Sequence, residues 1–225
     1  MFQDRIDAGQ KLARKLKSYA NRQDLLVLGL PRGGIPVAFE VANGLNAPLD
    51  VLLVRKLGVP GREECAMGAI ASPGIQILNG EIIKRRRISK AVIANVASRE
   101  QQELERRQAA YRKDCTFIDV RDRTVILVDD GMATGATMQA AILAVRQQHP
   151  KQIIIAVPVA TLEIYNKLQT KVDKIICVKV PEKFNSVSFW YHNFSQTTDA
   201  EVRDLLYRAA EKSRRSDRNS RRGKI

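Results

Sequence analysis

Two adjacent carboxylates, Asp129 and Asp130, stand between an apolar run and a loop of small and hydroxyl-bearing residues. The run is Val125 to Val128 and the loop is Met132 to Thr137, so the segment reads VILVDDGMATGAT. Small residues let backbone amides turn towards an anion, the threonines add hydroxyl donors, and the N-terminus of a following helix favours a phosphate. The two carboxylates can accept hydrogen bonds from sugar hydroxyls. The segment therefore predicts a site for a ribose that carries a 5-phosphate.

Two commoner phosphate-binding loops do not fit this spacing. The nucleoside-triphosphate loop GxxxxGK[ST] requires a lysine after its second glycine, but Ala136 follows Gly135. The dinucleotide loop GxGxxG is not matched either. The non-functional alternative is a strand and a capped helix that happen to flank an acidic pair, and we favour the binding loop.

The same segment resembles the phosphoribosyl-pyrophosphate motif of the type I phosphoribosyltransferases, in which a hydrophobic run, an acidic pair and TGxT follow one another in this register. The resemblance implies that Asp129 and Asp130 bind the ribose hydroxyls. It also implies that a loop wraps the 5-phosphate, and this loop comprises Met132, Ala133, Thr134, Gly135, Ala136 and Thr137.

The segment GLPRGG, residues 29–34, resembles the pyrophosphate loop of that family. It would follow a strand, and ligands of open α/β sheets bind at the carboxyl ends of strands. The resemblance implies contacts to the diphosphate from Arg32, Gly33 and Gly34. Taken alone, such a segment is about as often an ordinary turn.

The segment VRKLG, residues 54–58, resembles the start of the flexible loop that closes over the reacting centre in this family. Arg55 and Lys56 would neutralise the departing pyrophosphate there. Taken alone, an Arg-Lys pair is usually solvated surface. The glycine- and charge-rich composition from Leu57 to Met67 predicts an exposed, mobile loop.

The resemblance implies an enzyme that transfers the phosphoribosyl group of phosphoribosyl pyrophosphate to a nucleobase or related nitrogenous acceptor and releases pyrophosphate. Its catalytic residues would be Arg55, Lys56, Asp129 and Asp130. Magnesium would be carried by the diphosphate rather than by a protein-only cage, with the two aspartates as candidate ligands. A homodimer, a role in purine or pyrimidine salvage and a cytoplasmic location are further expectations.

The sequence leaves the acceptor base unassigned. The 6-oxopurine transferases place an acidic residue where Ala133 stands. An alanine there is similar to adenine transferases, but their flexible-loop signature is absent from Leu57 to Gly68, so adenine is one candidate among others. A hood over the base is expected from residues 181–195, where Phe184 and Trp190 could stack on the ring, although aromatic residues near a strand end are more often core.

The surrounding elements predict an α/β fold, with a mainly parallel sheet, helices on both faces and this small C-terminal hood. Short apolar runs predict buried strands, and 3.6-residue periodicity predicts the helices. A small hairpin is expected over 69–78 and a long polar helix over 89–112. We expect a single domain over residues 1–212 and a disordered basic tail over 213–225. The predicted strands are 25–30, 49–54, 124–128, 153–157 and 175–180, and the other predicted helices are 4–21, 35–44, one that follows Thr137, 161–170 and 198–212.

Composition narrows the function classes for these 225 residues. Three dispersed cysteines and two histidines make a disulfide framework, a zinc site and a Ser-His-Asp triad poor hypotheses. No apolar stretch is long enough to cross a membrane, and charges interrupt any N-terminal signal segment.

The net charge of +14 favours polyanionic or phosphorylated partners. The rival hypothesis is therefore a regulator that senses phosphoribosyl pyrophosphate and binds nucleic acid through its basic surface, including Lys84 to Arg87. The paired Arg55 and Lys56 and the predicted closing loop favour the enzyme, since a sensor has less need to exclude water.

Overall fold

The computed structural model describes residues 1–72, 74–111 and 118–222. Its helices are α1 (Arg5–Lys15), α2 (Gly34–Leu45), α3 (Gly80–Arg85), α4 (Lys90–Tyr111), α5 (Ala136–Arg146), α6 (Leu162–Gln169) and α7 (Asp199–Arg222). Its strands are β1 (Leu25–Gly29), β2 (Leu49–Val51), β3 (Val54–Val59), β4 (Arg62–Ala71), β5 (Ile75–Leu78), β6 (Thr124–Val128), β7 (Gln152–Val159) and β8 (Lys174–Lys179).

Five parallel strands form the main sheet, in the order β2-β1-β6-β7-β8. Successive side chains of a strand point to opposite faces, so an apolar run such as β1 packs on both sides. Leu26 and Leu28 join a core with α5 and α6, whereas Leu25 and Val27 join a core with α1, α2 and α7. This arrangement confirms the predicted α/β fold with helices on both faces of a parallel sheet.

The predicted mobile loop over 57–67 is wrong, because these residues form most of an antiparallel hairpin between β3 and β4. Leu57 and Met67 are completely buried against α4, and this burial offsets the flexibility that the glycines suggest. Gly61, with a φ of +74°, makes the tight turn between the strands. The predicted hairpin over 69–78 is confirmed as the pairing of β4 with β5.

Helix α7 begins as the sequence predicts, since the Thr198 hydroxyl accepts a hydrogen bond from the Glu201 N–H at 3.1 Å. It does not end at Lys212 but continues to Arg222, so the segment from 213 to 222 that we expected to be disordered is helical. An ion pair between Arg214 and Glu211 spans one turn across the predicted end and supports this continuation. Residues 223–225 lie outside the described residues, and the division of the chain at residue 212 stays a prediction.

None of the helices within the described ranges combines the length and the apolar character that a membrane span requires.

Candidate active site

The candidate site lies at the carboxyl ends of β1 and β6, which are neighbours in the sheet. Gly29, the last residue of β1, pairs with Val128, the last residue of β6. The chain leaving β1 forms residues 30–33, and the chain leaving β6 begins with Asp129 and Asp130. The predicted pyrophosphate loop and the predicted ribose-binding acids therefore emerge side by side.

Gly33 and Gly34 allow this loop to touch the acidic pair. A methyl group on Gly33 would lie 2.0 Å from Asp130 Oδ2, and one on Gly34 would lie 2.9 Å from Asp129 Cα. Real Cβ atoms do not approach other atoms so closely, so a larger residue would displace the loop or the carboxylates. The two glycines are therefore required for the loop to contact the acidic pair, which lies far from it in the sequence.

Arg32, the third predicted member of this loop, is partly exposed. Its guanidinium Nη1 lies 3.8 Å from Asp199 Oδ1 at the start of α7, and the same carboxylate oxygen accepts a hydrogen bond from the Tyr111 hydroxyl at 2.6 Å. The peptide bond between Pro31 and Arg32 is cis. Because the contact between Arg32 and Asp199 is long and partly exposed, it is weak, and the Arg32 guanidinium can also bind an anion at the loop.

The acidic pair lies in a poorly hydrated environment that disfavours two negative charges. Burial, and secondly the neighbouring charge of Asp130, raise the pKa of Asp129 well above its usual range. Burial also raises the pKa of Asp130, although the nearby Arg5 guanidinium opposes this shift. The Asp130 backbone N–H donates to Asp129 Oδ1 at 2.8 Å. Hydroxyl donors or a cation would stabilise the charged pair.

The described residues include no cluster of three or more histidine, cysteine, aspartate or glutamate side chains that could hold a metal ion. The acidic pair nevertheless fits a magnesium ion that arrives on a diphosphate. Magnesium takes oxygen ligands, and it is commonly held by one or two carboxylates together with substrate phosphates. The crowded charges of Asp129 and Asp130 supply such a donor set.

The predicted 5-phosphate loop leads directly into α5. Gly135, with a φ of +65°, occupies the N-cap of this helix, and no side chain caps it. The loop backbone is anchored to β7, because the Met132 N–H donates to the Val159 carbonyl at 2.9 Å. Thr134 in the loop and Thr137 in the first turn of the helix are both exposed. Uncapped amides at a helix start, flanked by accessible hydroxyls, have the chemistry to bind an anion.

Replacing Gly135 by alanine is expected to destabilise the fold by about 2–4 kcal/mol, because a left-handed backbone is combined with overpacking. The new methyl group would lie 2.4 Å from Ile164 Cγ1 on α6. Thermal unfolding measures the loss. Gly74→Ala is the matched control, since Gly74 has a φ of +64° but no atom within 4 Å of the added methyl. Equal loss in both variants would show that crowding against α6 contributes nothing.

The structure separates Arg55 from Lys56, because neighbouring residues of a strand face opposite ways. The Arg55 guanidinium binds Glu100 on α4, with Nε 2.8 Å and Nη2 2.5 Å from Oε2. Lys56 instead lines a cavity of about 1070 Å³ that also reaches Thr134 and Ala136 of the 5-phosphate loop. Of this pair, the lysine is therefore the residue brought towards that loop.

The predicted hood, residues 181–195, contains a single short 3₁₀ turn, Ser188–Trp190, and packs over the acidic pair. Phe184 and Trp190 are half-buried against an aromatic cluster centred on Phe2 and Tyr191. The Trp190 indole N–H is buried and, among the described residues, has no hydrogen-bond partner. Both rings thus contribute to the packing of the hood, and stacking on a base stays a prediction.

Two site residues were missed by sequence reasoning. Arg5, from the first turn of α1, binds the Asp130 carboxylate, with Nε and Nη2 each 2.9 Å from Oδ2. Tyr191 donates its hydroxyl to the Asp130 backbone carbonyl at 2.5 Å. These side chains are 125 and 61 positions from their partner, and neither belongs to a local motif. No signal in a single sequence would have revealed them.

A family model described as the phosphoribosyl transferase domain matches residues 2–192, most of the chain. The chain belongs to the phosphoribosyl transferase family. The match includes the pyrophosphate loop, the hairpin, the acidic pair, the 5-phosphate loop and most of the hood. It therefore supports the resemblance on which the sequence predictions rest.

Individual relatives agree with this assignment. The Mycobacterium tuberculosis protein MT0597, assigned to the phosphoribosyl transferases, is 42% identical over 209 residues. That match covers 93% of this chain but 47% of MT0597, so the chain spans about half the length of the curated relatives it matches. TT1426 from Thermus thermophilus, whose crystal structure is known, shares 38% sequence identity with this chain. The two structures superpose with a TM-score of 0.84 over 91% of this chain and 97% of TT1426. The parallel sheet and its flanking helices thus form a type I phosphoribosyltransferase fold.

Proposed function

We propose that this chain transfers the phosphoribosyl group of phosphoribosyl pyrophosphate to a nitrogenous acceptor, with release of pyrophosphate. The observation that carries the proposal is the contact of the Gly33-Gly34 loop with Asp129 and Asp130, beside an uncapped helix start. A diphosphate, two ribose hydroxyls and a 5-phosphate each have a site of matching chemistry within this short stretch of the sheet edge.

The reaction breaks the bond between ribose C1 and the pyrophosphate oxygen, and it forms a bond between C1 and an acceptor nitrogen. The acceptor nitrogen loses its proton to solvent, and the pyrophosphate leaves with the electrons of the broken bond. Asp129 and Asp130 orient the ribose through its hydroxyls, and the loop from Met132 to Thr137 fixes the 5-phosphate. Arg32 and Lys56 stabilise negative charge on the leaving group. Magnesium bound with the diphosphate would disperse that charge further.

We propose a nucleobase as the acceptor, held under the hood. The hood approaches the acidic pair closely, since a methyl group on Gly131 would lie 2.6 Å from Val187 Cγ1. Ala133 provides no carboxylate, so an acidic general base at that position is absent here. Phe184 and Trp190, which are half-buried in the hood, are the rings that would stack on the base. The homodimer that the family resemblance implies likewise stays a prediction.

Lys56→Ala is expected to lower turnover by about 10- to 100-fold, since one cation at the leaving group is removed. Arg55→Ala is expected to lower turnover less than about tenfold, because its guanidinium binds Glu100 on α4 and does not line the cavity that Lys56 lines. Steady-state rates of pyrophosphate release compare the two variants on neighbouring residues of one strand. A larger loss in Arg55→Ala would reverse these roles and imply that the hairpin rearranges when substrate binds.

The acceptor is identified by incubating the chain with phosphoribosyl pyrophosphate, magnesium and one nitrogenous base at a time. Mass spectrometry then detects the ribonucleoside monophosphate that the transfer would form. Ribose 5-phosphate replaces the donor in the control, since it fills the same loop but has no leaving group. Product from one or a few bases would support the proposal and name the acceptor. Absence of product with every purine, pyrimidine and related base would exclude nucleobase transfer.

A further inference from the structure

Arg5 is the arginine of α1 that reaches the candidate site. Its side chain is 11% exposed, and three of its nitrogen atoms have partners. Nε donates a hydrogen bond to Asp130 Oδ2 at 2.9 Å, and Nη2 forms an ion pair with the same oxygen at 2.9 Å. Nη1 donates to the Ser195 carbonyl at 2.7 Å. The Arg5 guanidinium therefore links the acidic pair to the end of the hood at Ser195, which is 190 residues from Arg5 in the sequence.

The same guanidinium also contacts an aromatic ring and the pyrophosphate loop. Its central carbon lies 3.9 Å from the centroid of the Phe194 ring, a cation–π contact. A methyl group on Gly33 would lie 3.1 Å from its Nε, so the loop passes directly beside the arginine. Arg5 thus contacts three segments of the site, namely the acidic pair, the pyrophosphate loop and the end of the hood. Together these contacts fix the orientation of its planar guanidinium group.

These contacts determine which Asp130 oxygen is left to face a ligand. Both Arg5 contacts, from Nε and from Nη2, go to Oδ2, so Oδ1 is the carboxylate oxygen that Arg5 does not bind. A guanidinium is planar and always charged, so it holds a carboxylate in a defined rotation better than an ammonium group does. The Tyr191 hydroxyl holds the backbone of Asp130 in addition.

We propose that Arg5 is a positioning residue of the phosphoribosyl site. By binding Asp130 Oδ2, it turns Asp130 Oδ1 towards the ribose, and it holds the pyrophosphate loop and the hood in place beside the Asp130 carboxylate. The expected effect on turnover rests on the proposed function. The positioning of Asp130 does not, because Arg5 would preorganise the donor site before any acceptor binds.

The test compares Arg5→Ala and Arg5→Lys with Arg14→Ala, an exposed arginine in the last turn of the same helix. Calorimetry measures the binding of phosphoribosyl pyrophosphate with magnesium, and steady-state kinetics measures turnover. We expect Arg5→Ala to weaken donor binding at least about tenfold and to lower kcat about 100-fold, as misplacement of a reacting group does. In Arg5→Ala, KM for the acceptor should change much less than the affinity for the donor, because the proposed base site lies under the hood and does not include Arg5.

Two readouts distinguish positioning from simple stabilisation of the fold. Added guanidinium ion at millimolar concentration should restore part of the activity of Arg5→Ala but not alter that of Arg14→Ala, while Arg5→Lys should remain impaired because a lysine cannot reproduce the fork. Circular dichroism at the assay temperature confirms that each variant is folded. Folded Arg5→Ala with wild-type donor affinity and kcat would overturn the inference. If the wild-type chain binds the donor but transfers it to no base, the proposed function fails, and the calorimetric comparison alone decides the role of Arg5.

Discussion

The double variant Asp129→Asn with Asp130→Asn is expected to lose turnover almost completely, by at least about 10³-fold, while the chain still folds. Amide groups keep the size of the carboxylates but lack the charge that binds ribose hydroxyls strongly and accepts magnesium. The fold should survive because the side-chain oxygens of the substituted amides can still accept the hydrogen bonds from Arg5 and from the residue 130 backbone N–H. Pyrophosphate release measures the activity, and circular dichroism with thermal unfolding measures the fold.

Asp204→Asn is the matched control for this double variant, since Asp204 is an exposed carboxylate on α7 with an ion pair to Arg208. It carries the same chemical change at an exposed position on the surface of a helix. We expect its turnover and melting temperature to stay close to those of the wild type. Full activity in the double variant would show that the acidic pair takes no part in the reaction.

Gly33→Ala is expected to weaken the binding of phosphoribosyl pyrophosphate by about 10- to 100-fold, because a shift of about 1 Å in a binding loop has effects of this size. The methyl group would lie 2.0 Å from Asp130 Oδ2 and 3.1 Å from Arg5 Nε, so either the loop or the charge pair must move. Calorimetric titration with the donor and magnesium measures the affinity.

The control for this substitution is Gly80→Ala at the first residue of α3. Gly80 has no positive φ, and an added methyl would meet no atom within 4 Å. We expect its donor affinity to equal that of the wild type. Unchanged affinity in Gly33→Ala would mean that the contact between the glycine loop and the acidic pair is irrelevant to binding, and the proposed function would lose its main support.

Around the candidate site, the strand and the helix that are continuous in sequence were predicted correctly, whereas the ligand roles of the residues between them stay predictions. Strand β6, the acidic pair, the 5-phosphate loop and α5 follow one another without interruption, so their order alone defines their geometry. The pyrophosphate loop is found beside them because β1 and β6 are neighbours in a parallel sheet. That neighbourhood was expected from the family resemblance rather than from any property of the two segments alone.

Predictions failed where tertiary packing overrides local composition. The residues after Lys56 contain the glycine and charge of a loop, but Leu57 and Met67 are buried against α4 and make the segment a hairpin. Arg5 and Tyr191 are ordinary side chains of their own elements and gain their importance only through contacts across the sheet. A sequence without aligned relatives records neither kind of information.

The central claim is tested most directly by phosphorus NMR of phosphoribosyl pyrophosphate with magnesium and a stoichiometric amount of the protein. Spectra are recorded before and after a pool of purine and pyrimidine bases is added, and the Asp129→Asn, Asp130→Asn double variant is measured in parallel. We predict that the donor resonances broaden on binding and that free pyrophosphate appears only after the bases are added, with neither change in the double variant. Donor resonances that the wild-type protein leaves unperturbed would contradict the assignment of this site to phosphoribosyl transfer.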